Sequence, residues 1–291
     1  MKEIVIISGK GGTGKTSITA AFAMLVGRNA VIADCDVDAA DMHLLLQPDF
    51  SRSEEFYSGF KAEIDQNLCI KCGKCKQVCR FDAVQKADDS YTIINLDCEG
   101  CAYCAEICPV KAIQMVEQNV GKWYISQIKS NAQMVHARLG IGADNSGKLV
   151  AKVKKEAKNI ARETDKDYIL VDGSPGIGCP VVSSLSGADY VIIVTEPTLS
   201  GFHDMRRVVE LIQNFKLPSG CIINKYDVNE EISEKIVEFC TKNNIDHISN
   251  LPYDESFTAA MTQGKTIIEF DNGEIKKILE DSWKKILLLT D

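Results

Sequence analysis

Gly9-Lys10-Gly11-Gly12-Thr13-Gly14-Lys15-Thr16 decides the fold. The stretch fits G-x4-G-K-[ST], a phosphate-binding loop that belongs between a strand and a helix. Both neighbours are present. Ile4-Val5-Ile6-Ile7 is the continuous apolar run expected of a strand buried on both faces, and residues 15–27 read as a helix. Glycines let the loop N–H groups curl around phosphate oxygens without a Cβ clash. The helix N-terminus adds a favourable field for an anion. Lys15 is expected at the β- and γ-phosphates, and the Thr16 hydroxyl at Mg2+. Gly11, Gly12, Thr13, Gly14, Lys15, Thr16 and Ser17 are the expected nucleotide-binding residues.

Outward from the loop, Ala30-Val31-Ile32-Ala33 reads as a second strand, which makes a βαβ beginning. The same alternation resumes after Ser146. Helices are expected at 147–162, 178–187, 202–214, 230–242, 254–263 and 273–289. Strands are expected at 168–171, 190–195, 221–223 and 245–249. Strands alternating with helices predict an α/β P-loop NTPase with a mostly parallel sheet covered by helices on both faces. Residues 117–140 read as a strand or two plus loop.

Residues 60–116 break this rhythm. Cys69, Cys72, Cys75 and Cys79 form one run, and Cys98, Cys101, Cys104 and Cys108 a second. Each reads C-x2-C-x2-C-x3-C, the bacterial ferredoxin spacing for [4Fe-4S] clusters, in which the fourth cysteine of each run ligates the other cluster. One cluster is thus expected on Cys69, Cys72, Cys75 and Cys108, the other on Cys98, Cys101, Cys104 and Cys79. Zinc ribbons show two C-x2-C pairs across a longer span and fit less well. Pro109 follows the second run as the spacing leads one to expect, whereas Arg80 follows the first. Three segments result: 1–59, the first part of the ATPase domain; 60–116, a small inserted ferredoxin-like α+β domain; and 117–291, the rest of the ATPase domain. So compact an insert has little core of its own and relies on its clusters.

The 291 residues include 33 basic and 41 acidic side chains, for a net charge of −8. No basic stretch is long enough to track phosphates, so nucleic acid is not an expected partner. Lys152-Val153-Lys154-Lys155 is expected to be a solvated helix face. The chain starts Met1-Lys2-Glu3 and enters a strand at once, and no run reaches the ~18 apolar residues of a membrane helix. A cytoplasmic protein without stable membrane insertion is expected. In a reducing compartment, twelve cysteines favour metal binding over disulfides. Cys35, Cys221 and Cys240 read as small buried residues.

Lys10, the second lysine of the loop, gives Lys10-Gly11-Gly12-Thr13-Gly14-Lys15-Thr16, which resembles the deviant Walker A motif of the MinD/ParA and nitrogenase iron protein class. The resemblance continues along the chain. Asp34-Cys35-Asp36-Val37-Asp38 looks like that class's switch I, and Asp172-Gly173-Ser174-Pro175-Gly176 like its switch II. Asn224-Lys225 and Leu251-Pro252-Tyr253-Asp254 look like its adenine-side loops. With the cysteine runs included, the chain is most similar to MinD-like ATPases that contain a ferredoxin domain. The resemblance implies an ATP/ADP- and Mg2+-binding ATPase in which Lys10 reaches a homodimer partner's nucleotide. It implies that Asp36 positions the attacking water, and that Thr16, Asp34, Asp36 and Asp172 hold Mg2+ directly or through water. It also implies that Asn224, Lys225, Pro252 and Tyr253 lie at the adenine. Lys10, Lys15, Asp36 and Asp172 are then the catalytic set.

Cys179 lies where the nitrogenase iron protein has a switch II cysteine that ligates a shared cluster. A second such cysteine is missing between Pro109 and Val171, so no shared third cluster is expected. Residues 139–147 read as a loop with Ser146 capping the next helix. Ile275, Ile278, Leu279, Trp283, Ile286 and Leu287 form a C-terminal apolar stripe expected to pack on the sheet. Function divides into three classes. The first is an ATP-gated redox protein with a redox partner. The second is a cluster carrier or cofactor-assembly ATPase. The third is MinD/ParA-like positioning, which needs a membrane or DNA surface.

Overall fold

The computed structural model describes residues 1–140, 146–270 and 273–290. In chain order the strands are β1 (Lys2–Ile7), β2 (Ala30–Asp34), β3 (Arg52–Ile64), β4 (Val84–Ala87), β5 (Ser90–Ile93), β6 (Ile113–Gln127), β7 (Gln133–Leu139), β8 (Tyr168–Asp172), β9 (Tyr190–Thr195), β10 (Ser219–Asn224) and β11 (Asp246–Leu251). The helices are α1 (Lys15–Val26), α2 (Met42–Leu46), α3 (Lys74–Val78), α4 (Tyr103–Glu106), α5 (Ser146–Glu163), α6 (Cys179–Leu185), α7 (Leu199–Asn214), α8 (Glu230–Lys242), α9 (Ser256–Thr262), α10 (Ile267–Phe270) and α11 (Glu274–Thr290). The chain forms two compact units. One comprises Glu55–Gly121 with Gly140, and the other the rest of the described chain. The smaller unit is wider than the expected insert because both boundaries fall inside strands, β3 and β6.

The larger unit is built on parallel strands in the order β11-β10-β9-β1-β8-β2-β7, continued by β6 and β3. Its central strands are apolar on both faces because helices cover both. Ile4, Val5, Ile6 and Ile7 of β1 are fully buried, as are Val191, Ile192 and Ile193 of β9. On one face α1 contributes Ile18 and Phe22, and α11 contributes Ile275, Leu279, Trp283 and Ile286. The Phe22 and Trp283 rings meet at 5.3 Å. The C-terminal stripe therefore packs into the core.

One expectation changes, and another falls partly outside the described residues. Lys154 does not lie on a solvated face: it is buried, pairs with Glu3 at 2.7 Å and donates to the backbone carbonyls of Ser183, Ser184 and Ser186. Glu3 sits inside β1, so an internal cation is needed opposite it. Of the expected 139–147 loop, residues 141–145 lie outside the described residues.

The smaller unit pairs β4 with β5 antiparallel, Val84 opposite Ile93. Its buried apolar cluster is small: Ala62, Cys75, Val84 and Ile113, with several cysteines packed against it. The two cysteine runs repeat each other in backbone conformation. Lys71 and Gly100, Gly73 and Ala102, and Asp82 and Lys111 all have positive φ at equivalent positions.

Candidate functional site

Parallel pairing puts the carboxyl ends of neighbouring strands along one edge, where α/β sheets bind ligands. The phosphate loop leaves β1, Asp34 ends β2, Asp172 ends β8, Glu196 follows β9, Asn224 ends β10 and Pro252 follows β11. Sequence positions more than two hundred residues apart thus share one edge.

Lys15 is 5% exposed and lies 2.8 Å from an Asp172 carboxylate oxygen and 3.4 Å from Asp36. Burial opposes its charge, but Asp172 and Asp36 outweigh that and hold its pKa above the ordinary lysine value. Thr16 and Thr19 each donate a hydroxyl to Asp172 at 2.8 Å, one to each carboxylate oxygen. Asp34 Oδ1 accepts the Asp36 N–H at 3.2 Å. Its other oxygen, Oδ2, is buried with no hydrogen-bond partner among the described residues, as is Thr13 Oγ1. Burial, together with the nearby Asp172 charge, pushes the Asp34 carboxyl well above its usual range. Asp36 is shifted the same way, by burial first, with Lys15 opposing. Three carboxylates thus crowd one lysine. That donor set fits a hard divalent cation, which takes oxygen ligands and would offset the excess negative charge.

The backbone ties the segments together. Cys35 N–H donates to Asp172 O at 2.8 Å, and Gly176 N–H to Ser8 O at 2.9 Å. Ser174 Oγ donates to Cys35 O at 2.8 Å. Asn224 donates through Nδ2 to Thr13 O at 2.8 Å and accepts the Lys225 N–H at 3.1 Å. An amide has two donor hydrogens and two lone pairs, so one of each remains for a base. Gly14 has φ +89°, and a Cβ there would stand 2.4 Å from Asn224 Nδ2. Tyr253 is exposed, and its N–H is held by Asp227 at 2.6 Å.

Lys10 is not extended into solvent. Its ammonium lies 2.7 Å from Glu196 Oε1 and donates to Ser200 Oγ at 3.0 Å and Thr198 Oγ1 at 3.3 Å. Glu196 also pairs with Lys225 at 3.1 Å, and Lys225 reaches Gly12 O at 3.3 Å. Although partly buried, Glu196 is held below the usual carboxylate range by these two lysines.

In the smaller unit the cysteines line two separate pockets. One is walled by Cys69, Cys72, Cys75 and Cys108, the other by Cys98, Cys101, Cys104 and Cys79. Each takes three thiols from one run and the fourth from the other. Each pocket holds a cavity of about 20 Å³. No three His, Cys, Asp or Glu side chains among the described residues converge as ligands of a single ion. The thiols stand around a volume instead. Burial pushes the third thiol of each run, Cys75 and Cys104, upward in pKa, so a thiolate there needs a compensating positive charge nearby. All twelve cysteines are unpaired. Cys35, Cys221 and Cys240 are buried, while Cys179 is exposed at the start of α6.

Residues 4–267 match the family described as CbiA: CobQ/CobB/MinD/ParA nucleotide binding domain. The chain belongs to this family. An uncharacterized protein of Methanocaldococcus jannaschii is 34% identical over 229 residues, which is 78% of this chain and 79% of that one. The septum site-determining protein MinD from Pyrococcus horikoshii, solved with Mg-ADP, superposes with a TM-score of 0.60 at 19% identity, covering 99% and 96% of the two chains. That likeness establishes the MinD-type α/β P-loop fold. Separately, the pyruvate synthase subunit PorD of Methanothermobacter marburgensis is 42% identical over 57 residues, 19% of this chain and 65% of PorD.

Two residues of this MinD/ParA-type site escape sequence reading. Thr19 fixes Asp172, and its signal is the spacing of three from Thr16 on one helix face. Glu196 holds Lys10 and Lys225 through space, and no spacing announces it.

Proposed function

We propose that this protein is an Mg-ATP-hydrolysing homodimer that couples nucleotide state to electron transfer through two [4Fe-4S] clusters. The observation that carries the proposal is the pair of cysteine pockets. Their walls combine three thiols of one run with the fourth of the other, the exchange that two-cluster ferredoxins use. The fit rests on donor chemistry: four thiols per pocket, with small apolar surroundings. When bound, such clusters accept and release single electrons. The PorD likeness, confined to 57 residues, supports a module with a source other than the ATPase.

At the nucleotide, Lys15 and the loop amides cradle the phosphates. Thr16, Asp34 and Asp172 hold Mg2+, and Asp36 orients the attacking water. The orphaned Asp34 Oδ2 supports the metal role. Asn224, Lys225, Pro252 and Tyr253 receive the base. Lys10 leaves Glu196 to meet the partner copy's nucleotide.

The test is anaerobic reconstitution of the full chain with iron and sulfide, followed by EPR and by ATPase rates of the oxidised and reduced forms. Two four-iron spectra and a rate that changes on reduction are expected. Identical rates would sink the coupling. A second reading, cluster delivery, is favoured by the exposure of Cys72 and Cys101. Transfer of iron and sulfide to an apo-acceptor, at the expense of the chain's own content, would establish it in place of electron transfer.

A further inference from the structure

The two cysteine runs are repeats, so each position in one has a control in the other. Their backbones match at the paired positive-φ positions. Their charges do not. Residues 69–80 carry Lys71, Lys74, Lys76 and Arg80 and no acidic residue, and residues 98–109 carry Glu99 and Glu106 and no basic one. Position by position, Ile70 stands against Glu99, Lys74 against Tyr103, Lys76 against Ala105 and Arg80 against Pro109. The pockets register this difference directly. Lys74 lies in the wall of the pocket formed by Cys69, Cys72, Cys75 and Cys108, and Glu99 in the wall of the pocket formed by Cys98, Cys101, Cys104 and Cys79. A further contact acts in the same sense. The Ala112 N–H donates to Cys108 Sγ at 3.3 Å, and Cys108 belongs to the lysine-lined pocket.

Reduction adds one negative charge to a cluster. Nearby cations and N–H donors to its sulfurs stabilise that charge, and nearby carboxylates oppose it. We propose that the module is electrically polarised: an electron entering it settles on the Cys69/Cys72/Cys75/Cys108 site in preference to the Cys98/Cys101/Cys104/Cys79 site. The inference rests on the two-cluster reading above. In the step itself, a low-potential one-electron donor reduces the module. The glutamate-lined site is then oxidised by one electron as the lysine-lined site is reduced by one, with no proton or bond exchanged. A one-electron acceptor finally draws from the lysine-lined site. The flanking charges are exposed, and Lys71 is offset by Asp89 at 3.1 Å. Arg80 follows Cys79, a thiol of the glutamate-lined site, and opposes the preference, which is therefore set at about tenfold, or about 59 mV for one electron.

The experiment is a potentiometric titration of the reconstituted full chain with dithionite and mediator dyes, read by EPR. Two one-electron couples are expected. Lys74→Gln with Lys76→Gln should lower the upper couple and leave the lower one in place. Glu99→Gln should raise the lower couple only. In the unmodified protein, raising ionic strength to molar salt should narrow the gap, because exposed charges are screened within about 3 Å there. That arm stands even if the lysine variants fail to take up iron. A single unresolved couple, a gap indifferent to salt, or Glu99→Gln moving the upper couple overturns the polarity while leaving two clusters in place. Failure to obtain two four-iron spectra overturns the cluster reading and the polarity with it.

Discussion

Lys10 and Glu196 hold each other at 2.7 Å within one chain, so any contact of Lys10 with a second copy must first break this pair. Both side chains are partly exposed, and such pairs are worth up to about 1 kcal/mol. Glu196→Gln is therefore expected to raise the dimer fraction in non-hydrolysable ATP about threefold, read by analytical ultracentrifugation. An unchanged fraction would show that the pair does not restrain Lys10. Thr19 acts on the other side of the loop. Thr19→Val removes a buried donor from Asp172, which should cost about 1–3 kcal/mol in urea unfolding and weaken Mg2+-dependent ATP binding in calorimetry. At this scale the sequence is uneven. Lys15, Thr16 and the two cysteine runs announce themselves because their chemistry is local and periodic. Thr19 and Glu196 act through contacts that only the folded chain creates.

Among the elements, β6 and β7 were the hardest to anticipate. β6 runs from Ile113 to Gln127 without strict alternation of buried and exposed residues, because its two ends lie in different units. One pair of side chains on these strands makes a pH prediction. His136 in β7 is buried, bonded to Ser126 Oγ at 2.9 Å, stacked on Tyr124 and met edge-on by Phe50. Burial, with a smaller push from His43 and opposition from Asp49, lowers its pKa to about 4. The folded chain thus binds this proton less readily than the unfolded chain. Stability from this site is full above pH 6.5 and falls as pH drops toward 4, by on the order of 3 kcal/mol across the window. Denaturant midpoints measured between pH 7 and 4 should show this decline, and His136→Gln should flatten it. By contrast, the boundaries of α5, α8 and β9 were readable to within a residue, because apolar periodicity and apolar runs mark them. The strand order was not: β1 lies between β9 and β8, and nothing local records that.

For the molecule as a whole, the two units differ in what holds them together. The larger has an extensive apolar core spanning both faces of its sheet, whereas the smaller buries four residues in its cluster. Iron removal by a chelator under anaerobic conditions is expected to expose residues 55–121 to proteolysis and leave the larger unit intact, with cut sites mapped by mass spectrometry. Unchanged resistance of residues 55–121 after chelation would mean that the smaller unit is not held by a metal. The α/β class was legible from the loop and the alternation around it, and the second unit from its cysteines.

The exchange of the fourth thiol between runs has a historical consequence. A half-length ancestor carrying one run would own three thiols of one pocket and a fourth suited only to a neighbour's. Such a peptide completes its pockets by meeting a second copy of itself, and those two copies are identical. Fusing them into one chain leaves the pockets as they were but frees the halves to diverge. Within one chain the halves can differ in charge, and here residues 69–80 carry four basic side chains whereas residues 98–109 carry two acidic ones.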